Sequence, residues 1–384
     1  MKKTSLKSPY ILCIGNGWFP NMPGGLNRYA WELIHTLAGS GDRVEFCGIG
    51  LPPTLPLKSI KSTNLAEPDC PLLQRLWLTQ RNFARRNGEK PDAINLHFAL
   101  YSLPLLSQLP EGVPITFTFH GPWAWESERE GASKLGVLAK QWMEQQVYRR
   151  CDRFIVLSRA FGIILHERYR IPWSRIYVIP GGVDTQRFQA NLSRSRARQK
   201  LGWPEDRFIL FCPRRLVRRM GIDVLLQALA QTRSRPLGNL WLAIAGKGAQ
   251  RDALEQLALE LNLENNVSFL GFLPDEDLPI AYQAADLTVI PSQALEGFGL
   301  VVLESLACGT PVLVTPVGGM PEILDPFTPQ LIAENTSADA IATQLQAILA
   351  SNLPLPSREA CRDYAEQNFA WTKIAGEVRS VLLQ

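Results

Sequence analysis

The sequence predicts an α/β protein made of two Rossmann-like, doubly wound parallel sheets. Three features predict it: short β-rich runs alternate with helical patterns along the chain, the alternation pauses once near the middle, and 384 residues suffice for two full cores. In the first half, strands are expected over residues 10–14, 43–48, 93–97, 115–120, 153–157 and 175–179. In the second half they are expected over 208–213, 240–245, 267–270, 287–290, 311–315 and 330–333. Pro180-Gly181-Gly182-Val183-Asp184 and an arginine-rich stretch over 193–200 interrupt these signals, giving domains 1–186 and 203–367. Residues 371–383 read as a last helix. Ligands of such sheets bind at the carboxyl ends of strands, so two facing sheets are expected to form an interdomain cleft with a site on each wall.

Composition sets outer limits. With 46% hydrophobic and 20% charged residues the chain is ordinary globular protein, not a disordered one. No apolar run approaches the ~20 residues of a membrane helix. The apolar run at 10–14, behind Lys2, Lys3 and Lys7, is too short for a signal-peptide core, so a cytoplasmic protein is expected. Seven cysteines (Cys13, Cys47, Cys70, Cys151, Cys212, Cys308 and Cys361) are scattered and never paired as Cys-x-x-Cys, which points to reduced thiols and away from disulfides or zinc. Four histidines are too dispersed for a metal cluster.

The net charge of +4 hides an asymmetry: residues 1–200 hold 27 Lys and Arg against 15 Asp and Glu (+12), and residues 201–384 hold 13 against 21 (−8). A basic first half suits an anionic surface or substrate. Within residues 73–86, Leu73, Trp77 and Phe83 alternate with Arg75, Arg81, Arg85 and Arg86 as on a basic amphipathic helix. Such a helix either lies on an anionic membrane or packs its apolar stripe on its own domain.

The most informative stretch is residues 291–304, a loop and helix start following the strand at 287–290. It sets Glu296 and Glu304 on either side of Gly297-Phe298-Gly299-Leu300, with a helix expected over 299–308. Backbone N–H groups at a helix start attract phosphate, while carboxylates accept sugar hydroxyls. Alternatively, the first acid caps the helix and the second is solvated. Gly24 and Gly25 also open a helix and let the backbone approach an anion. Arg214, Arg215, Arg218 and Arg219 crowd the loop after the strand at 208–213, as an anion site would require. His120 stands where a buried strand ends, His97 ends a similar strand, and Trp123 and Trp125 offer faces for sugar stacking from the loop that follows. Asp275-Glu276-Asp277 has the Asp-x-Asp form that can hold a divalent ion. Its place before a helix favours dipole compensation, with no metal.

Residues 291–313, with their Glu, Gly-Phe-Gly, Glu order and the turn Ala307-Cys308-Gly309-Thr310-Pro311, resemble the donor-sugar motif of retaining glycosyltransferases of family 4 (group 1 glycosyl transferases). The resemblance covers nearly the whole chain and implies a GT-B fold, with a helix at 368–384 returning to the first domain. It implies that Glu296 holds the donor sugar and Glu304 the ribose, with Gly297, Phe298, Gly299 and Leu300 beside them. Gly246 and Gly248 match the Gly-x-Gly beside the nucleotide, Phe272 and Leu273 the segment facing the base, and Gly24 and Gly25 the glycine loop. Asn27, Arg28, Trp123 and Trp125 fall on the acceptor side, and His120 near the transferred sugar. In the family an Arg-Leu pair and a Lys directly before Gly grip the diphosphate; here Arg215 keeps the first cation but Met220 stands where Lys belongs, and Arg219 is the expected substitute.

The resulting expectation is hexose transfer from a UDP- or GDP-sugar to a glycan or lipid-linked hydroxyl, without metal or cofactor, in polysaccharide or glycolipid synthesis. His120, Glu296, Arg215 and Arg219 would carry it. The site of action would be the cytoplasm or the cytoplasmic membrane face, and no nucleic acid partner is expected. One rival is a different enzyme on the same fold, for which no lysine is placed to carry pyridoxal phosphate. The other, motivated by Met220, is a non-catalytic sugar-nucleotide or membrane-binding subunit.

Overall fold

The computed structural model describes residues 8–52, 59–86, 88–232 and 239–384; Lys2, Lys3 and Lys7 lie outside them. The chain divides into two compact units, one running through Gly182 and joined by Trp371–Gln384, the other Val183–Ala370.

The first unit has seven strands, β1 (Tyr10–Gly17), β2 (Arg43–Ile49), β3 (Ile60–Ala66), β4 (Ala93–Leu96), β5 (Ile115–Phe119), β6 (Arg153–Val156) and β7 (Ile176–Val178). Their order is β3-β2-β1-β4-β5-β6-β7, and every pairing is parallel. Helices cover both faces of such a sheet, so its strands read as continuous apolar runs; β1 and β4 are almost wholly buried. Strand β3 was not legible in the sequence. It is the edge strand Ile-Lys-Ser-Thr-Asn-Leu-Ala, with one exposed and three half-buried residues at its centre, so it lacks the apolar run that marked the others.

The second unit has five, β8 (Phe208–Pro213), β9 (Leu240–Ala245), β10 (Val267–Gly271), β11 (Leu287–Ile290) and β12 (Val312–Val314), ordered β10-β9-β8-β11-β12 and again parallel. The strand expected over 330–333 is not one. Pro329 opens a 3-10 turn through Leu331, and Ile332 makes only an isolated bridge to Val314.

The strand order reverses between β1 and β4 in the first unit and between β8 and β11 in the second. The crevices beyond those strand ends are where ligands of doubly wound sheets sit.

The expected amphipathic helix spans Leu72–Ala84 and does pack on its own sheet: Phe83 is buried, and Leu76 and Leu78 lie against the core. Leu73 and Trp77 nevertheless remain 82% and 56% exposed, with Arg81 over the Trp77 ring. All seven cysteines are free thiols, six of them buried. No described helix is long and apolar enough to cross a membrane.

The last helix, Trp371–Leu382, is anchored on the first unit. Arg379 makes a two-pronged pair with the buried Asp42 at 2.7 and 2.9 Å, and the Trp371 ring packs edge-on against Tyr29. Gly182 lies flat against Trp371, where an added Cβ would sit 2.5 Å from the indole. Because that ring is buried and cannot swing aside, Gly182→Ala is expected to lower unfolding stability in urea by about 1–3 kcal/mol. An unchanged midpoint would show that the helix does not need this contact.

Candidate functional site

In the second unit, parallel register sets Pro213 of β8 against Ala245 of β9, so Arg214 and Gly246 emerge side by side at the carboxyl edge. Arg214 N–H donates to the Ala245 carbonyl at 2.9 Å, and a Cβ on Gly246 would lie only 1.9 Å from the Arg214 carbonyl oxygen. From this fixed origin the Arg214 side chain turns inward and is 8% exposed. Its Nη2 donates to Ser292 Oγ at 2.6 Å, contacts Met220 Sδ at 2.8 Å, and pairs with the Glu296 carboxylate. Its Nε is buried without a partner. Glu296 is set from the other side of the strand reversal, on the loop after β11; a Cβ on Gly318 would overlap its carbonyl oxygen at 1.6 Å. The strand reversal thus holds a buried cation and a carboxylate in contact.

Arg215, next along, is exposed. Arg219 Nη1 donates to the Leu295 carbonyl at 3.1 Å, and its own carbonyl accepts from Gln293 N–H at 2.8 Å, so Arg219 braces the loop that carries Glu296. Leu295 is held there at φ 52°. Met220 ends the 3-10 turn Arg218–Met220 and is buried. Beyond Glu296, Gly297 is half-buried and Phe298 packs on Phe369. Gly299, at φ 92°, starts the helix Leu300–Ala307. Glu304 on that helix is buried and accepts from the Tyr282 hydroxyl at 2.9 Å, which excludes the solvated alternative. Gly246 and Gly248 form the turn after β9, with Lys247 over the ring of the exposed Phe272 and Leu273 half-buried beside it. Asp277 directly precedes the helix Leu278–Ala284, and Asp275 pairs with Arg187. Among the described residues no three His, Cys, Asp or Glu side chains are grouped to hold a metal ion.

In the first unit, Gly24 at φ 150° precedes the helix Gly25–Gly39, and a Cβ on Gly24 or Gly25 would meet nothing within 4 Å. Asn27 is buried, accepting from Gly17 N–H at 3.1 Å and donating to the Met22 carbonyl at 2.9 Å, so its amide shapes the loop. Arg28 lies over the Phe19 ring. Trp123 and Trp125 are not on a loop as expected but on the helix Trp123–Arg129, in reach of Lys140 and Arg168 respectively; Pro122 fixes that helix start. At the ends of β4 and β5, His97 Nδ1 and His120 Nε2 lie 3.1 Å apart and share one proton as a hydrogen bond. Tyr29 packs edge-on against His120, and Tyr29 in turn packs on Trp371. Burial holds His120 down to about 3; burial, and then the neighbouring His120, hold His97 well below its ordinary value.

The sequence marked two of these residues only weakly: Arg214 as one of four clustered arginines, and His97 as a lesser candidate than His120 at the end of a similar strand. Adjacency across the sheet, which neither shows in sequence, gives both their partners.

The model for "Glycosyl transferases group 1" matches residues 193–368, and that for "Glycosyltransferase Family 4" matches residues 23–187. The D-inositol 3-phosphate glycosyltransferase of Corynebacterium aurimucosum is 33% identical over 314 residues, spanning 78% of this chain and 73% of that one. The chain belongs to glycosyltransferase family 4. The GDP-mannose-dependent alpha-(1-6)-phosphatidylinositol monomannoside mannosyltransferase of Mycolicibacterium smegmatis is 35% identical over 213 residues, 52% of this chain and 54% of that one. The chain therefore spans about half the length of that curated relative. Among solved structures, sucrose-phosphate synthase from Thermosynechococcus elongatus superposes with TM-score 0.80 and 25% identity over 98% of each chain. The two sheets of this family 4 chain are those of the GT-B fold.

Both imidazoles are neutral in the folded family 4 chain, whereas in the unfolded chain each gains a proton near pH 6.5. The unfolded state therefore binds more protons below that pH, and stability falls as pH drops, by up to about 1.4 kcal/mol per pH unit for each ring. Urea melts at pH 7, 6 and 5 should show wild type losing stability relative to a His97→Asn/His120→Asn variant. A constant difference would show that the pair titrates normally.

Proposed function

We propose that the protein is a retaining hexosyltransferase, moving a sugar from a UDP- or GDP-sugar to a hydroxyl of a glycan or lipid-linked acceptor. The observation that carries this reading is the meeting of arginine and glutamate at the β8/β11 reversal, between a glycine turn and a helix start. A departing diphosphate needs fixed positive charge, and preorganised donors in a water-poor site supply it without reorganisation. Here the charge is supplied by arginines, Arg215 foremost, so transfer is proposed to need no metal. Glu296 accepts hydroxyls of the donor sugar, and Glu304, oriented by Tyr282, those of the ribose. Gly246, Gly248, Gly297, Gly299 and Leu300 bring backbone to the nucleotide, with Phe272 and Leu273 beside the base. His120, kept neutral and oriented by His97, acts as a hydrogen-bonding group near the anomeric carbon. Gly24 and Gly25 bring backbone to the donor, and Asn27, Arg28, Trp123 and Trp125 serve the acceptor, Asn27 by shaping the loop. The relative named for GDP-mannose and a phosphatidylinositol monomannoside supports a nucleotide-sugar donor and a lipid-linked acceptor. The exposed Leu73 and Trp77 beside Arg81 support work at an anionic membrane surface, on its cytoplasmic side.

The second reading, a binding subunit without transfer, is favoured only by Met220 in place of lysine.

Thermal melts with UDP, GDP, ADP and dTDP, each with magnesium or EDTA, test the donor site. One nucleotide at about 100 times its Kd should raise Tm by roughly 3–10 °C in EDTA as well. The matching nucleotide sugar should then be turned over, and Glu296→Gln should lower kcat by about 10²-fold. A cooperative melt unmoved by every nucleotide would overturn the donor reading, and binding without turnover would favour the subunit.

A further inference from the structure

We infer that Arg214, and not Arg219, supplies the diphosphate cation that Met220 cannot, and that Arg214 and Met220 form a compensating pair. The inference rests on the donor reading above.

Arg214 Nη2 lies 2.8 Å from Met220 Sδ, so the guanidinium already occupies the space at the end of the residue 220 side chain. A lysine at 220 would press an ammonium onto that guanidinium, and two cations in contact at a buried site repel strongly. The two positions therefore hold one cation between them, and this chain places it at 214. Arg219 Nη1 donates to the Leu295 carbonyl, which makes Arg219 a positioning residue for the Glu296 loop.

Arg214 also has the properties an anion site requires. It is 8% exposed, so its charge acts in a low dielectric, and its buried Nε lacks an acceptor. A phosphate oxygen would satisfy that N–H and exploit the planar fork of the guanidinium. In the structure Glu296 is the counter-charge. An arriving diphosphate takes over that role, and the carboxylate turns to the sugar hydroxyls. The exchange keeps the buried guanidinium neutralised throughout.

Isothermal titration with UDP, UMP, GDP and GMP, together with nucleotide-sugar turnover, tests this on wild type and on Arg214→Gln, Arg219→Ala, Met220→Lys and Arg214→Ala/Met220→Lys. Arg214→Gln should weaken diphosphate binding about 30-fold or more, as expected for a charged hydrogen-bonded contact, while monophosphate binding shifts far less. Met220→Lys alone should lower Tm through repulsion. The double variant should recover diphosphate affinity to within about fivefold of wild type, the rescue of one point charge by another. Arg219→Ala should lower kcat and leave diphosphate affinity nearly unchanged. Wild-type diphosphate affinity in Arg214→Gln, or a cooperatively folded double variant no better than Arg214→Gln, would overturn the assignment while leaving the donor reading intact. Wild type that binds no nucleoside diphosphate would overturn the donor reading itself.

Discussion

The second unit depends on backbone contacts that leave no room for a side chain, two of them at the residues of the Arg214–Glu296 pair. The carbonyl oxygens of Arg214 and Glu296, the residues whose side chains pair, each press on a glycine, Gly246 for the first and Gly318 for the second. Any Cβ there would drive the loops apart. Because these loops leave adjacent parallel strands at the reversal of strand order, the contacts hold the origins of a cation and an anion on converging paths. A buried pair of this kind brings little net stability, since desolvation offsets attraction. What it provides is geometry: a charge whose position is set by sheet register and two glycines, with Arg219 and Ser292 bracing the opposite side.

The first unit reaches its site by a different kind of constraint, a continuous line of aromatic packing. Trp371, on the last helix, rests against Gly182 and Tyr29, and Tyr29 rests against His120, which shares a hydrogen bond with His97. The segment farthest along the chain thus supports the histidine at the end of β5. The Arg379–Asp42 pair keeps that helix in place from its other end. Burial makes the two imidazoles neutral, so the first unit offers hydrogen bonds, while the second offers charge.

Legibility in the sequence followed burial on both faces. Strands such as Cys13-Ile14 or Leu210-Phe211 announced themselves because parallel strands under two helical layers are apolar throughout. Edge strand β3 did not, because its central Lys61 to Asn64 face water or polar neighbours. The apolar run near 330–333 misled because Pro329 favours a turn there. At the site, Glu296, Glu304 and the glycine turns were legible as a local pattern. Arg214 was not, because its partners Ser292 and Glu296 lie 78 and 82 residues away and are brought together only by strand order. Asn27 was legible as polar and near a helix start, yet its amide hydrogen-bonds the loop backbone at both of its ends.

Moving a cation from a turn to a strand end changes more than its address. A lysine at 220 would hang on four flexible methylenes from a 3-10 turn, a point charge free to search. Arginine at 214 starts one residue past the last ladder position of β8, its N–H still held by the Ala245 carbonyl, and its planar fork can face a carboxylate and a phosphate at once. Less conformational freedom is left to lose when an anion binds, which favours preorganisation. The opposing cost is that Glu296 competes for the same fork, so part of the attraction for an incoming anion is offset by the contact it displaces. On the proposed donor reading, arginine next to methionine trades raw affinity for a guanidinium that is neutralised before, during and after binding.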